Sequence, residues 1–160
     1  MSARFDAREM FRSLSAHDVA YVTVGGIALQ AHGGQRVTLD LDVTIASTTE
    51  NMTRLAAALD ELDARILGPD GRQSSETPSA ALLGSGDQWH LSTRHGRLDV
   101  VTLPAHLGSF EEMLARAHLV AMRDLKVPVA SRDDLLSMKR AAGRPHDLAD
   151  IRLLESLEAD

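Results

Sequence analysis

Strict alternation of polar and apolar residues marks residues 38–45 as a strand with two different faces. Thr38, Asp40, Asp42 and Thr44 share one side, and the intervening aliphatic residues share the other. This period of two is typical of a strand that buries one face. The two carboxylates on the open face repel each other, and a cation bound between them would explain the pair. Hard divalent ions such as Mg²⁺ take oxygen ligands of this kind.

The same kind of patterning predicts the other elements. Apolar residues at helical spacing predict helices over residues 6–14, 27–32, 50–62, 110–114, 132–142 and 145–157. Runs rich in β-forming residues predict further strands over residues 21–24, 89–93, 97–102 and 119–122. Residues 68–86 are rich in Gly, Pro and Ser, which predicts a long loop with room for a short strand at 80–83. Because Pro128 lacks a backbone N–H, we expect residues 125–129 to form an edge element at best.

Three further features suit a phosphate or metal site. Gly25 and Gly26 follow a predicted strand and precede a helix, and the free N–H groups of such a turn suit phosphate binding. Asp99 lies in a later strand between apolar neighbours, and Lys139 lies on a late helix. With the paired carboxylates, these are the parts of metal-assisted nucleotidyl transfer, in which carboxylates hold two cations ~3.5 to 4 Å apart. Positioning and electrostatic stabilisation dominate chemistry of this kind.

These motifs resemble those of nucleotidyltransferases of the DNA polymerase β superfamily. The closest resemblance is to the small bacterial branch around the AbiEii and MenT toxins. It rests on the glycine pair, on an Arg-x-Thr-x-Asp-x-Asp strand at residues 36–42 and on the lysine-bearing segment at residues 135–151. The resemblance covers a core of about residues 20–157. It implies an α/β fold of the α+β type, with a mixed sheet flanked by helices, in a single domain over residues 1–160.

The resemblance also implies a reaction and its residues. The reaction moves NMP from an NTP, such as ATP, to the hydroxyl of an acceptor, which is an RNA end such as that of tRNA, a protein or a small molecule. Asp40, Asp42 and Asp99 are implied to be catalytic and to hold Mg²⁺ or Mn²⁺. Nucleotide binding is implied for Gly25, Gly26, Arg36, Thr38, Lys139 and Asp147. A cognate antitoxin or toxin protein is the implied partner.

Composition restricts the compartment and the partners. The chain of 160 residues fits one domain and contains no cysteine, which excludes a disulfide scaffold and fits a reducing cytoplasm. No apolar run approaches the ~20 residues that span a membrane, so we expect a cytoplasmic protein. The net charge of −6 gives no global attraction for nucleic acid, so RNA binding would need a local basic patch.

Two alternatives stay open on the sequence. Residues 40–45 also resemble the Asp-x-Asp-x-Thr start of haloacid-dehalogenase-like phosphatases, in which the first aspartate is a nucleophile. That reading leaves Gly25, Gly26 and Asp99 without a role. The other alternative is a non-catalytic or protein-modifying partner within a toxin–antitoxin system that keeps the nucleotidyltransferase fold. Arg36 either pairs with a nearby acid or reaches the substrate, and the sequence does not choose between them.

Overall fold

A mixed sheet and the helices around it make up residues 4–157, the part of the chain that the computed structural model describes. The strands are β1 (Tyr21–Val24), β2 (Asp40–Ile45), β3 (Arg65–Ile66), β4 (Trp89–Thr93), β5 (Gly96–Val100), β6 (His118–Met122) and β7 (Leu125–Val129). The helices are α1 (Ala7–Ala16), α2 (Gly25–Ala31), α3 (Thr49–Glu61), α4 (Ala80–Gly84), α5 (Phe110–Arg116), α6 (Arg132–Ala142) and α7 (Leu148–Ser156). Short 3₁₀ turns occupy Ala105–Leu107 and Pro145–Asp147.

The strand order across the sheet is β3-β4-β5-β2-β1-β7-β6. At its centre β2 pairs antiparallel with β1 and parallel with β5. The parallel register places Asp42 beside Asp99, so carboxylates that are far apart in the sequence become neighbours on one face. The mixed sheet with flanking helices is the fold class that the sequence predicts.

The opposite face of β2 forms part of the hydrophobic core. Leu41 and Val43 are fully buried there, in one cluster with Phe11 of α1 and Leu55 of α3. Ser13 Oγ donates a hydrogen bond of 3.1 Å to the Ala58 carbonyl, which joins α1 to α3. Burial of this face fixes the register, since a slip by one residue would turn the carboxylates into the core.

Most helix boundaries follow from caps that are readable in the sequence. The side chains of Asp6, Thr48, Ser109 and Ser131 each accept a hydrogen bond from a backbone N–H in the first turn of a helix. Helix α6 ends at Gly143, whose φ of +61° is the left-handed conformation that favours glycine.

Three local predictions were wrong. Residues 80–83 belong to the helix α4 rather than to a strand, because Ser79 caps them by accepting from the Leu82 N–H. Strand β2 begins at Asp40, and Leu39 is 72% exposed instead of facing the core. Strand β7 lies between β1 and β6 rather than at an edge. It accommodates Pro128 because its register with β1 is confined to Thr23 and Val129.

No helix among residues 4–157 is long and apolar enough to cross a membrane.

Candidate active site

Three carboxylates converge on the open face of the central strands. Asp40, Asp42 and Asp99 each offer a ligand oxygen, and these oxygens lie within 4.8 Å of one another. The side chains of Asp40 and Asp42 point to the same face because they are two residues apart on β2. Asp99 joins them through the parallel pairing of β5 with β2. The arrangement has the ligand type and the spacing that a hard divalent cation requires.

The protonation of Asp42 is strongly perturbed by its surroundings. Burial raises its pKa to about 7, and the negative charges of Asp40 and Asp99 add to the effect. A hydrogen bond with Asp99 also favours the protonated form, while Arg97 opposes the shift. A bound cation would reverse this balance, since it favours the ionised carboxylate.

Arg97 and His90 hold Asp99 in place. Arg97 Nε donates a hydrogen bond of 3.0 Å to Asp99 Oδ1, and His90 Nδ1 lies 3.0 Å from the same oxygen. His90 pairs with Asp99 in the β4–β5 hairpin, and Arg97 lies two residues before it on the same face of β5. Neither residue was predicted to be a site residue, although both lie in the predicted hairpin that contains Asp99.

Gly25 and Gly26 pack closely against the side chains of Asp42 and Thr38. Gly25 has a φ of +69°, and a Cβ built on it would lie 2.8 Å from Asp42 Cγ. A Cβ on Gly26 would lie 2.9 Å from Thr38 Oγ1. Thr38 Oγ1 lies 3.0 Å from Asp40 Oδ1 and donates to the Asp40 carboxylate and main-chain oxygens. The glycines therefore leave the room in which Thr38, Asp40 and Asp42 are packed.

Two buried carboxylates beneath the site, Asp147 and Asp150, form ion pairs with its basic side chains. Lys139 Nζ lies 3.0 Å from Asp147 Oδ1 and 3.1 Å from Asp150 Oδ2. Arg36 donates to Asp150 at 2.8 Å, and Arg144 Nε donates to Asp147 at 2.8 Å. Asp150 is thus the acid that pairs with Arg36, a partner that the sequence did not suggest.

Asp147 has no solvent exposure. Burial by itself raises its pKa, but hydrogen bonds from Arg144 and Lys139 outweigh this effect and lower the pKa to about 2. Asp147 therefore stays ionised at neutral pH and holds the basic side chains of Lys139 and Arg144 in place.

These groups line a cavity of about 410 Å³, which we name the carboxylate cavity. Eight of the nine residues predicted to form the site lie in its wall, namely Gly25, Gly26, Arg36, Thr38, Asp40, Asp42, Asp99 and Lys139. The ninth, Asp147, lies beneath the wall and supports it. Arg144 and His146 line the cavity but were not predicted to be site residues. Both residues lie within three positions before the predicted site residue Asp147, and this proximity in the sequence could have indicated them.

The sequence of this chain matches one protein family over most of its length. The family model for the nucleotidyl transferase AbiEii toxin of type IV toxin–antitoxin systems matches residues 8–160. The chain belongs to the AbiEii family. It is a nucleotidyltransferase, as the sequence motifs predicted. The match also favours this assignment over the phosphatase alternative.

Solved structures share the fold of this AbiEii-family chain. The lincosamide antibiotic adenylyltransferase LnuA, bound to lincomycin, has a TM-score of 0.63 and 16% identity, covering 97% of this chain and 99% of its own. ANT(2″)-Ia in complex with adenylyl-2″-tobramycin has a TM-score of 0.59 and 14% identity, covering 92% and 84%. An antigenic nucleotidyltransferase-like protein from Paracoccidioides brasiliensis has a TM-score of 0.56 and 18% identity, covering 96% and 77%. At these identities the likeness shows the fold. No curated protein gives a significant match to the sequence of this chain.

Proposed function

We propose that this chain transfers NMP from an NTP to an acceptor hydroxyl in a reaction that depends on Mg²⁺ or Mn²⁺. The observation that carries the proposal is the convergence of Asp40, Asp42 and Asp99, with ligand oxygens within 4.8 Å of one another. The family assignment supports nucleotidyl transfer as the reaction class.

The three carboxylates fit a divalent cation by their chemistry. Each supplies a hard oxygen donor, and their mutual repulsion is relieved when a cation is bound. Bound cations would neutralise charge on the transferred phosphoryl group and on the leaving pyrophosphate. Asp99, held by Arg97 and His90, would complete the set of ligands and help withdraw the proton from the acceptor hydroxyl.

The cationic wall of the carboxylate cavity suits the triphosphate. Arg36, Lys139 and Arg144 all line it, and their carboxylate partners Asp147 and Asp150 are buried. The three basic side chains exceed their two buried carboxylate partners by one positive charge, and with divalent cations bound at Asp40, Asp42 and Asp99 the cavity would attract phosphate. Thr38 would act by orienting Asp40, and the glycine pair would offer backbone N–H groups to the phosphates while leaving room for the side chains of Thr38 and Asp42.

Label transfer from an α-labelled NTP tests the proposal. Asp42→Asn keeps the shape of the side chain and removes its charge, and we expect it to abolish transfer. Asp60→Asn is the matched control, because Asp60 is an exposed carboxylate on α3 outside the carboxylate cavity. Equal transfer by the wild-type protein and Asp42→Asn would contradict the proposed site.

An RNA end is the acceptor that we propose, on the basis of a basic groove beside Asp99. Arg65, Arg94 and Arg97 line this groove together with Asp63, which pairs with Arg65 at 3.1 Å, and we name it the guanidinium groove. Arg97 forms part of its wall and also contacts Asp99, so the groove reaches the carboxylates. It provides the local basic patch that a chain with a net charge of −6 needs for binding a polyanion.

Salt dependence tests this acceptor. Arg65→Ala combined with Arg94→Ala should weaken the binding of an RNA acceptor and flatten the dependence of binding on salt concentration by about two charges. Arg72→Ala is the matched control, because Arg72 is exposed on the loop and lies outside the groove. An unchanged salt slope in the double variant would exclude the groove and favour a protein or small-molecule acceptor.

A cognate antitoxin is the protein partner that we propose, since the AbiEii family belongs to toxin–antitoxin systems. The alternative of a non-catalytic partner is separated from this proposal by a titration with NTP and Mg²⁺. Mg²⁺-dependent NTP binding supports an enzyme, and its absence supports the non-catalytic module.

A further inference from the structure

A second cavity of about 440 Å³ adjoins the carboxylate cavity, and we name it the aromatic cavity. Val101 and Thr102, which follow β5, line both cavities. The parallel strands β2 and β5 end at the aromatic cavity, since Thr44, Ile45 and Val100 also line it. The two cavities therefore share part of their wall, and a ligand that extends beyond the carboxylates on this side would enter the aromatic cavity.

The chemistry of the aromatic cavity differs from that of its neighbour. Its apolar lining includes the half-buried Trp89 and the buried core residues Phe110, Met52 and Leu83. No Lys, Arg or His is among the described residues that line it, whereas three cations and a histidine line the carboxylate cavity. A phosphate group therefore favours the carboxylate cavity, and a flat uncharged group favours the aromatic one.

Trp89 presents a fixed aromatic ring in this cavity. Its Nε1 donates a hydrogen bond of 3.2 Å to the Leu83 carbonyl, which holds the ring against α4. Gly86 approaches the ring so closely that a Cβ there would lie 3.0 Å from Trp89 Cζ2. A ring that is already ordered loses little side-chain entropy when another ring stacks on it.

Asp87 and Glu111 add hydrogen-bond acceptors to the lining. Both side chains are exposed at the cavity, and neither makes an ion pair among residues 4–157. Free carboxylates accept hydrogen bonds from ring N–H, amino and hydroxyl groups. The combination of an aromatic ring with these acceptors suits a nucleobase and its ribose.

We propose that the aromatic cavity binds the nucleoside of the NTP while the carboxylate cavity binds its phosphates. The inference rests on the proposed function, because it places the α-phosphate at Asp40, Asp42 and Asp99. The nucleoside then extends past Val101 and Thr102 and stacks near Trp89. This placement leaves the guanidinium groove free for the acceptor.

A bulky side chain introduced into the aromatic cavity should weaken nucleoside binding and leave phosphate binding unchanged. Ser47 is exposed, lines the cavity and makes no side-chain hydrogen bond among the described residues, so Ser47→Phe adds bulk without removing a contact. We expect it to raise the KM for NTP by roughly tenfold or more, as the loss of base stacking would. The inhibition constant of inorganic tripolyphosphate, which has no nucleoside, should stay unchanged. Thr49→Phe adds the same side chain two residues away and outside the cavity, and it is the matched control.

A second pair of variants changes charge instead of bulk. Asp87→Asn with Glu111→Gln alters two exposed side chains, and we expect a rise of about tenfold in the KM for NTP, again without an effect on tripolyphosphate. Glu76→Gln, an exposed acid outside the cavity, is the control. Trp89 is the only tryptophan of the chain, so its fluorescence should change with NTP and not with tripolyphosphate.

The results distinguish this inference from the proposed function. Label transfer that persists with an unchanged KM for NTP in both variants would overturn the nucleoside cavity alone. A rise confined to the KM of the acceptor would also overturn it, by assigning the cavity to the acceptor. Absence of transfer by the wild-type protein with every NTP and a cell extract would overturn the proposed function, and the nucleoside cavity with it.

Discussion

Asp42 links the charge of the site to the stability of the metal-free protein. Burial, followed by the charges of Asp40 and Asp99, raises its pKa to about 7, whereas an unfolded aspartate has a pKa of ~3.9. The folded chain thus holds a proton that the unfolded chain releases between these values. The stability contributed by the protonated group is complete below pH ~4 and is lost as the pH rises through about 7.

We therefore predict that Asp42→Asn stabilises the metal-free protein more at pH 8 than at pH 5. Thermal unfolding in the presence of a chelator measures this, and about 1 kcal/mol corresponds to ~2 to 4 °C for a chain of this size. Adding Mg²⁺ at pH 8 should stabilise the wild-type protein and leave Asp42→Asn unaffected. A difference between the two proteins that does not depend on pH would show that Asp42 titrates normally.

Gly25 is required by the carboxylate beside it. A side chain there would be strained at a φ of +69° and would collide with the Asp42 carboxylate. We predict that Gly25→Ala displaces Asp42, lowers NMP transfer at least ~100-fold and weakens Mg²⁺ binding. Gly71→Ala is the control, because Gly71 has a φ of +77° and nothing within 4 Å of its Cβ position, so it measures the backbone strain alone. Similar transfer by the two variants would argue against the contact with Asp42.

The acidic residues were readable from the sequence, and their supporting contacts were not. Alternation puts Asp40 and Asp42 on one face whatever the tertiary fold, since the strand period is two. The role of Asp150 depends on a contact between α7 and the segment before β2, and no local pattern reports such a contact. Gly25 was predicted from turn chemistry, but its close approach to Asp42 appears only when β1 and β2 pair.

At the scale of elements, α6 and the segment that follows it are joined by Asp147. This carboxylate is fully buried, and its partners Lys139 and Arg144 lower its pKa to about 2 after overcoming the opposing effect of burial. The stability that it contributes is present above the unfolded pKa of ~3.9 and is lost as the pH falls through about 2.

We predict that Asp147→Asn destabilises the protein by about 3 kcal/mol at pH 7, because it leaves Lys139 without one of its buried partners. The deficit should shrink as the pH falls from 4 towards 2. Urea unfolding at several pH values measures both effects. Asp133→Asn removes the exposed acid that pairs with Arg132 and should change stability by less than ~1 kcal/mol. A deficit for Asp147→Asn as small as that of the control would contradict the role of Asp147.

Local signals in the sequence predicted single helices and strands better than they predicted which strands are neighbours in the sheet. Caps such as Thr48 and Ser131 act within one helical turn, so they are visible in the sequence. Whether β7 is an edge depends on β1, a strand far away in the chain, and the proline rule gave the wrong answer there. The short helix α4 was missed because four apolar residues in a row do not distinguish a strand from a helix.

At the scale of the molecule, our proposals assign the parts of the substrate to three adjoining spaces of different chemistry. The carboxylate cavity, with its basic side chains, would take the triphosphate, the guanidinium groove, with its arginines, would take an anionic acceptor, and the aromatic cavity, with Trp89, would take the base. Contacts at Asp99 and at Val101 and Thr102 connect them. Composition hides this division, because a net charge of −6 averages over surfaces of opposite sign.

The binding of Mn²⁺ in the presence of an NTP analogue that cannot be transferred tests the central claim most directly. Mn²⁺ takes the same oxygen ligands as Mg²⁺, and its bound fraction can be followed by electron paramagnetic resonance. We predict that the wild-type protein and Asp60→Asn bind Mn²⁺ beyond the amount that the nucleotide binds alone, and that Asp42→Asn loses this additional binding. Equal Mn²⁺ binding by Asp42→Asn and the wild-type protein would contradict the assignment of Asp40, Asp42 and Asp99 as the metal site.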